Sequence, residues 1–363
     1  MINAGCDVHD KYSMVSRLDD ETGELSGRYQ VATSEVCEHL MGFGPDITVA
    51  VETSTAGLFV ARKLQSLGVD VILVDSFKGR RLLEALNNRK HTDKLDALGL
   101  MWLLAKGYLE HAQVWIPDDA TVELRELVRA REALVHQGVT QRNQVRNILS
   151  RHGLRCPYTD LLGRGAREWF AELNQKLPPK IAFVVNELYQ ALVELDAHIQ
   201  RLSARVNAEA AAREETQLLM TIPGIGPILA ATIVAEIGDV KRFKHATNLR
   251  SYARLVPRED QSGDRLRRGP LVKHGNRLLS WAFVQAAGHF ASCKRNSDLR
   301  LTKKYRQTVF KHGPNPAKVS LGRHLVDVVF AMLRDGEPFD ATRHLPPSAA
   351  QAPPPPQPRA KAG

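Results

Sequence analysis

The sequence predicts a multidomain protein, with an α/β domain at its N-terminus followed by mostly helical domains. Its 363 residues are too many for one ordinary hydrophobic core. Up to residue 74, short β-branched runs alternate with helical segments, whereas long helical stripes dominate beyond residue 118. The predicted parts are an α/β domain at 1–117, a helical coiled-coil region at 118–213, a mostly helical C-terminal domain at 214–342 and a proline-rich, disordered tail at 343–363.

The order of elements in the first part specifies the fold more closely. Strands are predicted at 2–8, 12–18, 25–32, 47–51 and 69–74, and helices at 33–41, 57–67 and 77–110. In the ribonuclease-H-like fold, three antiparallel strands are likewise extended by parallel strands through helical crossovers. We therefore expect the N-terminal domain to be ribonuclease-H-like.

Four carboxylates in this domain are candidates for one site. Asp93 and Asp96 share a face of the predicted helix 77–110, where their charges repel; taken alone, such a pair is ordinarily a solvated acidic face. Asp7 and Glu52, however, end two predicted strands, and ligand chemistry gathers at strand ends in α/β sheets. Four clustered carboxylates need counter-charge, which Mg²⁺ supplies. The sequence thus predicts a site for two Mg²⁺ ions about 4 Å apart.

The middle region contains a heptad seam. One seam position is occupied by Val185, Leu192, Ile199 and Val206, and the other by Ile181, Leu188, Leu195 and Leu202. This pattern favours a two-stranded pairing of helices. The partner is either the helix predicted at 121–150 of the same chain or a second copy of the protein, and both pairings can hold.

The C-terminal domain has two notable motifs. Pro-Gly-Ile-Gly at 223–226 resembles a helix-hairpin-helix, in which Gly224 and Gly226 would let backbone N–H groups approach a phosphate; a tight helix–helix corner is the alternative. Ser262 lies before Gly263 in a predicted polar loop among arginines. A serine at such a place is usually a turn residue, but neighbouring guanidinium groups can lower its pKa and bind a phosphorane.

Composition and charge indicate a cytoplasmic protein with a polyanionic partner. No apolar run reaches transmembrane length, and the first residues lead into a strand rather than a signal peptide, so we expect no membrane partner. The four cysteines are scattered without a CxxC pair, which argues against a zinc knuckle and favours a reducing compartment. The formal net charge of +10 is suited to nucleic acid.

Basic residues are concentrated in three clusters, at 141–155, 262–277 and 294–311, with very few acids. A solvated helix face would explain one such cluster, but three together favour contacts with phosphate backbones of DNA or RNA. The residues that we single out as nucleic-acid contacts are Arg142, Arg146, Arg265, Arg267, Arg268 and Lys273.

In combination, these motifs resemble the DEDD transposases of bacterial insertion-sequence family one-ten. The similar stretches are Gly5-Cys6-Asp7-Val8-His9, Val51-Glu52-Thr53, Thr92-Asp93-Lys94-Leu95-Asp96-Ala97, Ile222-Pro223-Gly224-Ile225-Gly226-Pro227, Ser262-Gly263 and Lys273-His274-Gly275-Asn276-Arg277. They occur in the family's order over roughly residues 1–340. Each stretch is weak evidence, whereas the combination is highly specific.

The resemblance implies a RuvC-like N-terminal domain, a coiled-coil middle and a C-terminal transposase domain. It makes Asp7, Glu52, Asp93 and Asp96 a Mg²⁺-binding tetrad, and Ser262 a nucleophile that forms a covalent link to DNA. It also implies donor and target DNA, a guide RNA encoded by the element, and a homo-oligomer. In that dimer or tetramer, the acids of one subunit meet the serine of another.

Two other functions fit parts of the sequence. A RuvC-like, structure-specific DNA endonuclease would use the four acids with water and leave Ser262 structural. A scaffold that binds nucleic acid without catalysis would need neither the acids nor the serine. Substitution of Ser262 distinguishes the recombinase from the endonuclease, and substitution of the acids tests the scaffold.

Overall fold

The computed structural model describes residues 1–86, 92–262 and 265–344, with the backbone alone at 27–28, 86, 174, 259–262, 265–268 and 344. The chain forms two compact units, Met1–Asp119 and Ala120–Gly363. The first is a mixed α/β unit and the second is mostly helical. Within the described ranges, no helix is long and apolar enough to cross a membrane.

One six-stranded sheet organises the first unit. Its strands are β1 (Ile2–Val8), β2 (Tyr12–Asp19), β3 (Leu25–Ala32), β4 (Ile47–Glu52), β5 (Asp70–Val74) and β6 (Gln113–Val114), in the order β3-β2-β1-β4-β5-β6. The first three strands pair antiparallel, β4 and β5 extend β1 in parallel, and β6 is antiparallel to β5. The five predicted strands are confirmed, whereas the two-residue β6 is too short to produce a sequence pattern.

The helices of this unit are α1 (Val36–Met41), α2 (Thr55–Ser66), α3 (Ser76–Leu86) and α4 (Asp93–Ala105). The prediction of one helix over 77–110 is wrong. Thr92 has an extended backbone, with φ −147° and ψ 145°, and its hydroxyl accepts a hydrogen bond from the Leu95 N–H. Threonine is a strong N-cap residue, so a new helix begins at Asp93.

The second unit is built on helices and one β-hairpin. In chain order these are α5 (Asp119–Arg151), α6 (Arg164–Ala171), α7 (Pro179–Ala212), α8 (Glu214–Met220), α9 (Pro227–Ile237), α10 (Ala246–Tyr252), β7 (Pro257–Ser262), β8 (Arg265–Leu271), α11 (Arg277–Ser292), α12 (Arg300–His312) and α13 (Pro314–Asp335). The main core of the unit lies among α8–α13 and contains the buried Phe283 and Phe290.

The predicted heptad seam pairs within the chain. Gln141 of α5 donates a hydrogen bond to the Leu188 carbonyl of α7, and Arg131 donates to the Ser203 hydroxyl. The later residue of α5 thus contacts the earlier residue of α7, so the two helices are antiparallel. Pairing of the seam with a second copy stays a prediction.

The loop predicted around Ser262 is a β-hairpin instead. Strands β7 and β8 pair antiparallel, with Glu259 opposite Arg268 and Asp260 opposite Arg267. Oppositely charged residues at paired positions are typical of stable strand pairs. Sequence patterning missed these strands because they lack the β-branched alternation that marks a half-buried strand.

Candidate active site

The pleat of the sheet places Asp7 and Glu52 on the same face. Cys6 of β1 pairs with Val51 of β4, so the residues that follow them lie at adjacent strand ends. Cys6 and Val51 belong to the buried cluster that packs against α1 and α2. Because successive side chains alternate between faces, Asp7 and Glu52 project to the other face, which α4 covers.

A glycine in β1 allows α4 to lie directly on the sheet. A Cβ atom at Gly5 would be 2.1 Å from the Ala97 carbonyl oxygen and 2.4 Å from the Met101 backbone nitrogen. Gly5 precedes Asp7 by two residues and therefore shares its face. This close approach brings the first turn of α4, which carries Asp93 and Asp96, beside Asp7.

Direct contacts join this turn to the end of β1. Nε2 of His9 lies 3.2 Å from an Asp7 carboxylate oxygen and 3.4 Å from one of Asp93. The Tyr12 hydroxyl donates a 2.9 Å hydrogen bond to the same Asp93 oxygen. Among the described residues, one ligand atom each from Asp7, His9 and Asp93 forms a group within 4.8 Å that can hold a metal ion.

His9 and Tyr12 are site residues that the sequence pattern did not predict. Their signal was present, since the Asp7-Val8-His9 spacing puts the acid and the imidazole on one side of an extended chain. Tyr12 begins the adjacent strand, and its carbonyl accepts a hydrogen bond from the His9 N–H at 3.1 Å. A short turn therefore brings its phenol to the same strand end.

Electrostatics indicate that Asp7 interacts with the other acids. Burial raises the pKa of Asp7; the His9 imidazole opposes this effect, while the charges of Asp93 and Asp96 add to it. The Asp7 side chain is only 14% exposed. A buried carboxylate surrounded by other carboxylates is stabilised by a bound cation.

Glu52 belongs to the same electrostatic group. Burial raises its pKa, a hydrogen bond from Ser76 partly offsets the rise, and the charges of Asp7 and Asp96 increase it. Arg80 acts in the opposite direction. The charge of Asp96 therefore acts on both Asp7 and Glu52, and that of Asp93 acts on Asp7.

The chemistry of these side chains fits a hard divalent cation. Carboxylate oxygens are the ligands that Mg²⁺ and similar ions prefer. Burial raises the pKa of Asp7 and of Glu52, and a bound cation would offset that effect. An imidazole is less suited to such an ion. His9 therefore fits better as a neighbour that orients Asp7 and Asp93 through its ion-pair contacts with both.

Gly224 and Gly226 lie in the exposed corner between α8 and α9. Gly224 has φ +100°, and a Cβ atom there would be 2.7 Å from the Phe290 backbone nitrogen. The tight-corner interpretation accounts for this glycine. By contrast, Gly226 has φ −90° and open space around its Cβ position, so neither strain nor packing explains it. A phosphate contact at either glycine stays a prediction.

The predicted basic contacts have different surroundings. Arg142 lies 3.9 Å from an Asp196 carboxylate oxygen, Arg146 donates a hydrogen bond to the Thr159 carbonyl, and Lys273 is exposed. Ser262 ends β7 and pairs with Arg265. The side chains of Ser262, Arg265, Arg267 and Arg268, and all of residues 263–264, lie outside the described part of the structure.

A buried polar network explains part of the Lys273–Arg277 motif. The carboxylate of Glu236, in α9, is fully buried and accepts hydrogen bonds of 2.7 and 2.8 Å from Arg129 and one of 2.5 Å from Asn276. Burial disfavours its charge, but these hydrogen bonds hold the pKa of Glu236 below its usual value. Asn276 also caps α11 by accepting from the Leu279 N–H. The network therefore fixes the start of α11, just beyond the hairpin.

The adjacent glycine of that motif is required by geometry. Gly275 has φ +119°, and a Cβ atom there would lie 2.6 Å from the Tyr252 carbonyl oxygen. That carbonyl accepts a 2.7 Å hydrogen bond from the Asn276 N–H. Gly275 and Asn276 thus attach α11 to the end of α10, which gives the motif a structural role.

Comparison with known proteins agrees with these features. Residues 216–304 match the family model described as Transposase IS116/IS110/IS902 family. Residues 4–153 match a model described as Transposase and named for the DEDD transposases of IS110. The two matched regions together span more than half of the chain, and the four acids lie within residues 4–153.

Curated relatives include transposases and a gene-inverting protein. The transposase for insertion sequence element IS1111A of Coxiella burnetii is 26% identical over 60% of this chain and 60% of its own length. The transposase for insertion sequence element IS1328 of Yersinia enterocolitica is 24% identical over 81% of this chain and 86% of its own. The pilin gene-inverting protein of Moraxella bovis is 27% identical, over 72% and 71% respectively.

The family implies a divalent metal, and the acidic group at the end of β1 has the chemistry to bind one. Both family models are described as transposases, and the relatives match across both units of the chain. The chain therefore belongs to the IS110 family of transposases, enzymes that cut and rejoin DNA.

Proposed function

We propose that this transposase cuts and rejoins donor and target DNA with a Mg²⁺-bound tetrad of Asp7, Glu52, Asp93 and Asp96 and with Ser262 as nucleophile. The observation that carries the metal site is that carboxylate oxygens of Asp7 and Asp93 lie within 4.8 Å of each other. The strand order β3-β2-β1-β4-β5 supports a ribonuclease-H-like, RuvC-like domain around it.

The side chains of the first unit have separate roles. Asp7 and Asp93 hold the metal, with Glu52 and Asp96 completing the acidic group. His9 and Tyr12 orient the Asp7 and Asp93 carboxylates through their contacts at 3.2, 3.4 and 2.9 Å. Mg²⁺ held by these carboxylates would polarise a phosphodiester and stabilise its leaving oxygen.

Ser262 supplies the attacking oxygen. Its hydroxyl oxygen bonds to phosphorus as the bond to the sugar oxygen breaks, the serine proton is lost and the leaving oxygen gains one. The DNA strand is then held as a phosphoserine ester, which a second sugar hydroxyl attacks to rejoin DNA. Ser262 lies at the end of a hairpin whose other strand carries Arg265, Arg267 and Arg268, residues suited to a pentavalent phosphorane.

The proposed partners are DNA, a guide RNA and further copies of the chain. The basic clusters at 141–155, 262–277 and 294–311 provide contacts for DNA and for an element-encoded guide RNA. We also propose a homo-oligomer, a dimer or tetramer, in which the acids of one subunit act with the serine of another.

The alternative is a RuvC-like metal-dependent endonuclease that cuts by hydrolysis. One observation favours it: all four acids lie in the first unit, Met1–Asp119, and need nothing from Ser262 to form the metal site. In that case water replaces the serine hydroxyl and no covalent protein–DNA intermediate forms.

Ser262→Ala is expected to lower the rates of strand exchange and of covalent adduct formation by about 10⁴-fold or more, because the substitution removes the attacking oxygen. The adduct is measured as labelled DNA that stays with the denatured protein on a gel. Ser292→Ala serves as a matched control, because Ser292 is exposed in α11 and bonds only locally, to the Gly288 carbonyl. Full adduct formation by Ser262→Ala contradicts the proposal, and nicking without adduct favours the endonuclease.

A further inference from the structure

Phe310 is the most exposed large apolar side chain among the described residues. It lies near the end of α12 and is 93% exposed, whereas the next in rank, Phe183 of α7, is 64% exposed. A phenyl ring in water contributes nothing to the hydrophobic core. Its position therefore suggests contact with something outside the monomer.

The surroundings of Phe310 are strongly basic. Helix α12 has no acidic residue, and its basic residues are Arg300, Lys303, Lys304, Arg306, Lys311 and His312. Arg306 and Lys303 precede Phe310 by four and seven residues, so all three share one helix face, and all three are exposed. The opposite face is fixed by packing, because Leu301 and Tyr305 pack against the main core of the unit.

A ring flanked by cations on a convex helix matches nucleic acid better than other polyanions. Lysine and arginine bind phosphates, while a phenyl ring stacks on a base. A membrane-binding helix would need several apolar side chains on the exposed face, and here Phe310 is surrounded by charge. A protein interface would need a larger apolar area than one ring provides.

The exposed ring selects unpaired nucleotides over a duplex. Inside a duplex the faces of the bases are covered by their neighbours, so a protruding phenyl can stack only where a base is unpaired. Along the helix axis, Arg306 and Lys303 lie about 6 and 10 Å from Phe310, which lets one strand contact the ring and both cations. Cutting and rejoining of DNA exposes unpaired strands.

We propose that Phe310 is a stacking platform for an unpaired base of single-stranded DNA, with Arg306 and Lys303 bound to the adjoining phosphates. The platform needs neither the acidic metal site nor Ser262. Residues 305–312 of α12 also lie beyond the regions that match the family models, which end at residue 304. Lys303 lies inside the matched region, whereas Arg306 and Phe310 lie beyond it.

The test measures binding of the full chain to a fluorescent oligothymidylate of about 15 nucleotides, in buffer with a chelator and no divalent metal. Phe310→Ala is expected to weaken binding about 5- to 150-fold, the range for loss of one base–aromatic stack. Phe310→Trp should bind within about threefold of the wild type, because it keeps a stacking surface. Phe310→Leu should behave like alanine, which separates stacking from simple apolar contact.

A second series separates the ring from the cations. Lys303→Gln and Arg306→Gln should each reduce the slope of log affinity against log salt by about 0.7, whereas Phe310→Ala should leave the slope unchanged. Phe183→Ala is the matched control, an exposed phenylalanine on a helix whose next-turn neighbour is Glu187, and it should bind as the wild type does. Thermal unfolding should be unchanged in Phe310→Ala, since the ring packs against little.

Several results would overturn the proposal. These are wild-type affinity in Phe310→Ala, full rescue by leucine, an equal loss of affinity for duplex DNA, or RNA of matching sequence bound at least about tenfold more tightly than DNA. A change in the oligomeric mass of Phe310→Ala by light scattering would instead assign the ring to contact with a second copy. Because no metal is present, failure of the proposed catalytic mechanism leaves this test unaffected.

Discussion

Asp7→Asn is expected to lower the rate of DNA strand cleavage by at least about 10³-fold, equivalent to about 4 kcal/mol of transition-state stabilisation, while DNA binding is retained. The amide keeps the shape of the side chain but removes the charge that the proposed metal site between β1 and α4 requires. The cleavage rate is measured with labelled donor DNA in Mg²⁺, and the affinity for DNA is measured by filter binding.

The same substitution should raise the stability of the metal-free protein. Burial and the neighbouring acids raise the pKa of Asp7, so ionisation at neutral pH opposes folding, and a neutral amide removes that penalty. Added Mg²⁺ should raise the midpoint of thermal unfolding in the wild type and not in the variant.

Asp10→Asn is the matched control for Asp7→Asn. Asp10 is exposed and follows His9 directly, but it lies outside the metal-binding group. The Asp10→Asn variant should cleave DNA at the wild-type rate and keep the Mg²⁺-dependent rise in the midpoint of thermal unfolding. Activity in Asp7→Asn within about tenfold of the wild type would show that Asp7 does not hold the metal.

Gly5→Ala is expected to reduce the free energy of unfolding by about 3 kcal/mol or more, because the methyl group has no room. Its Cβ would lie 2.1 Å from the Ala97 carbonyl oxygen, a backbone atom that can move only if α4 moves. Displacement of α4 also carries Asp93 away from Asp7, so cleavage should fall with stability. Denaturant unfolding measures the first effect.

Gly288→Ala is the control, because a methyl group fits at this glycine. It lies within α11, and a Cβ atom there would meet only the end of the Lys318 side chain at 3.6 Å. Alanine favours helix, so this variant should equal or slightly exceed the wild type in stability. An unfolding free energy for Gly5→Ala equal to that of the wild type would contradict the close packing of α4 on β1.

The sheet and its acids could be predicted from sequence because strand ends are local features. Asp7 and Glu52 each follow a buried β-branched or apolar run, and parallel strands place such ends side by side. The start of α4 was also visible in principle, since Thr92 before an acidic first turn is an N-cap signal. The long helical pattern on both sides obscured it.

Other features depend on contacts that no local pattern reveals. The buried Glu236 joins α5, α9 and α11, which are distant in sequence, and its burial is visible only once they pack. The strands β7 and β8 pair without the apolar alternation that marks a half-buried strand in a sequence. The exposure of Phe310 likewise follows from which face of α12 meets the core.

Anomalous scattering from Mn²⁺ bound to crystals of the full chain, with Mn²⁺ replacing Mg²⁺, locates the metal centre directly. We expect an anomalous peak at about 2.0–2.6 Å from carboxylate oxygens of Asp7 and Asp93, with Glu52 and Asp96 beside it. The peak should vanish in Asp7→Asn. Mn²⁺ bound elsewhere, with Asp7 and Asp93 free of metal, would contradict a metal centre at the end of β1.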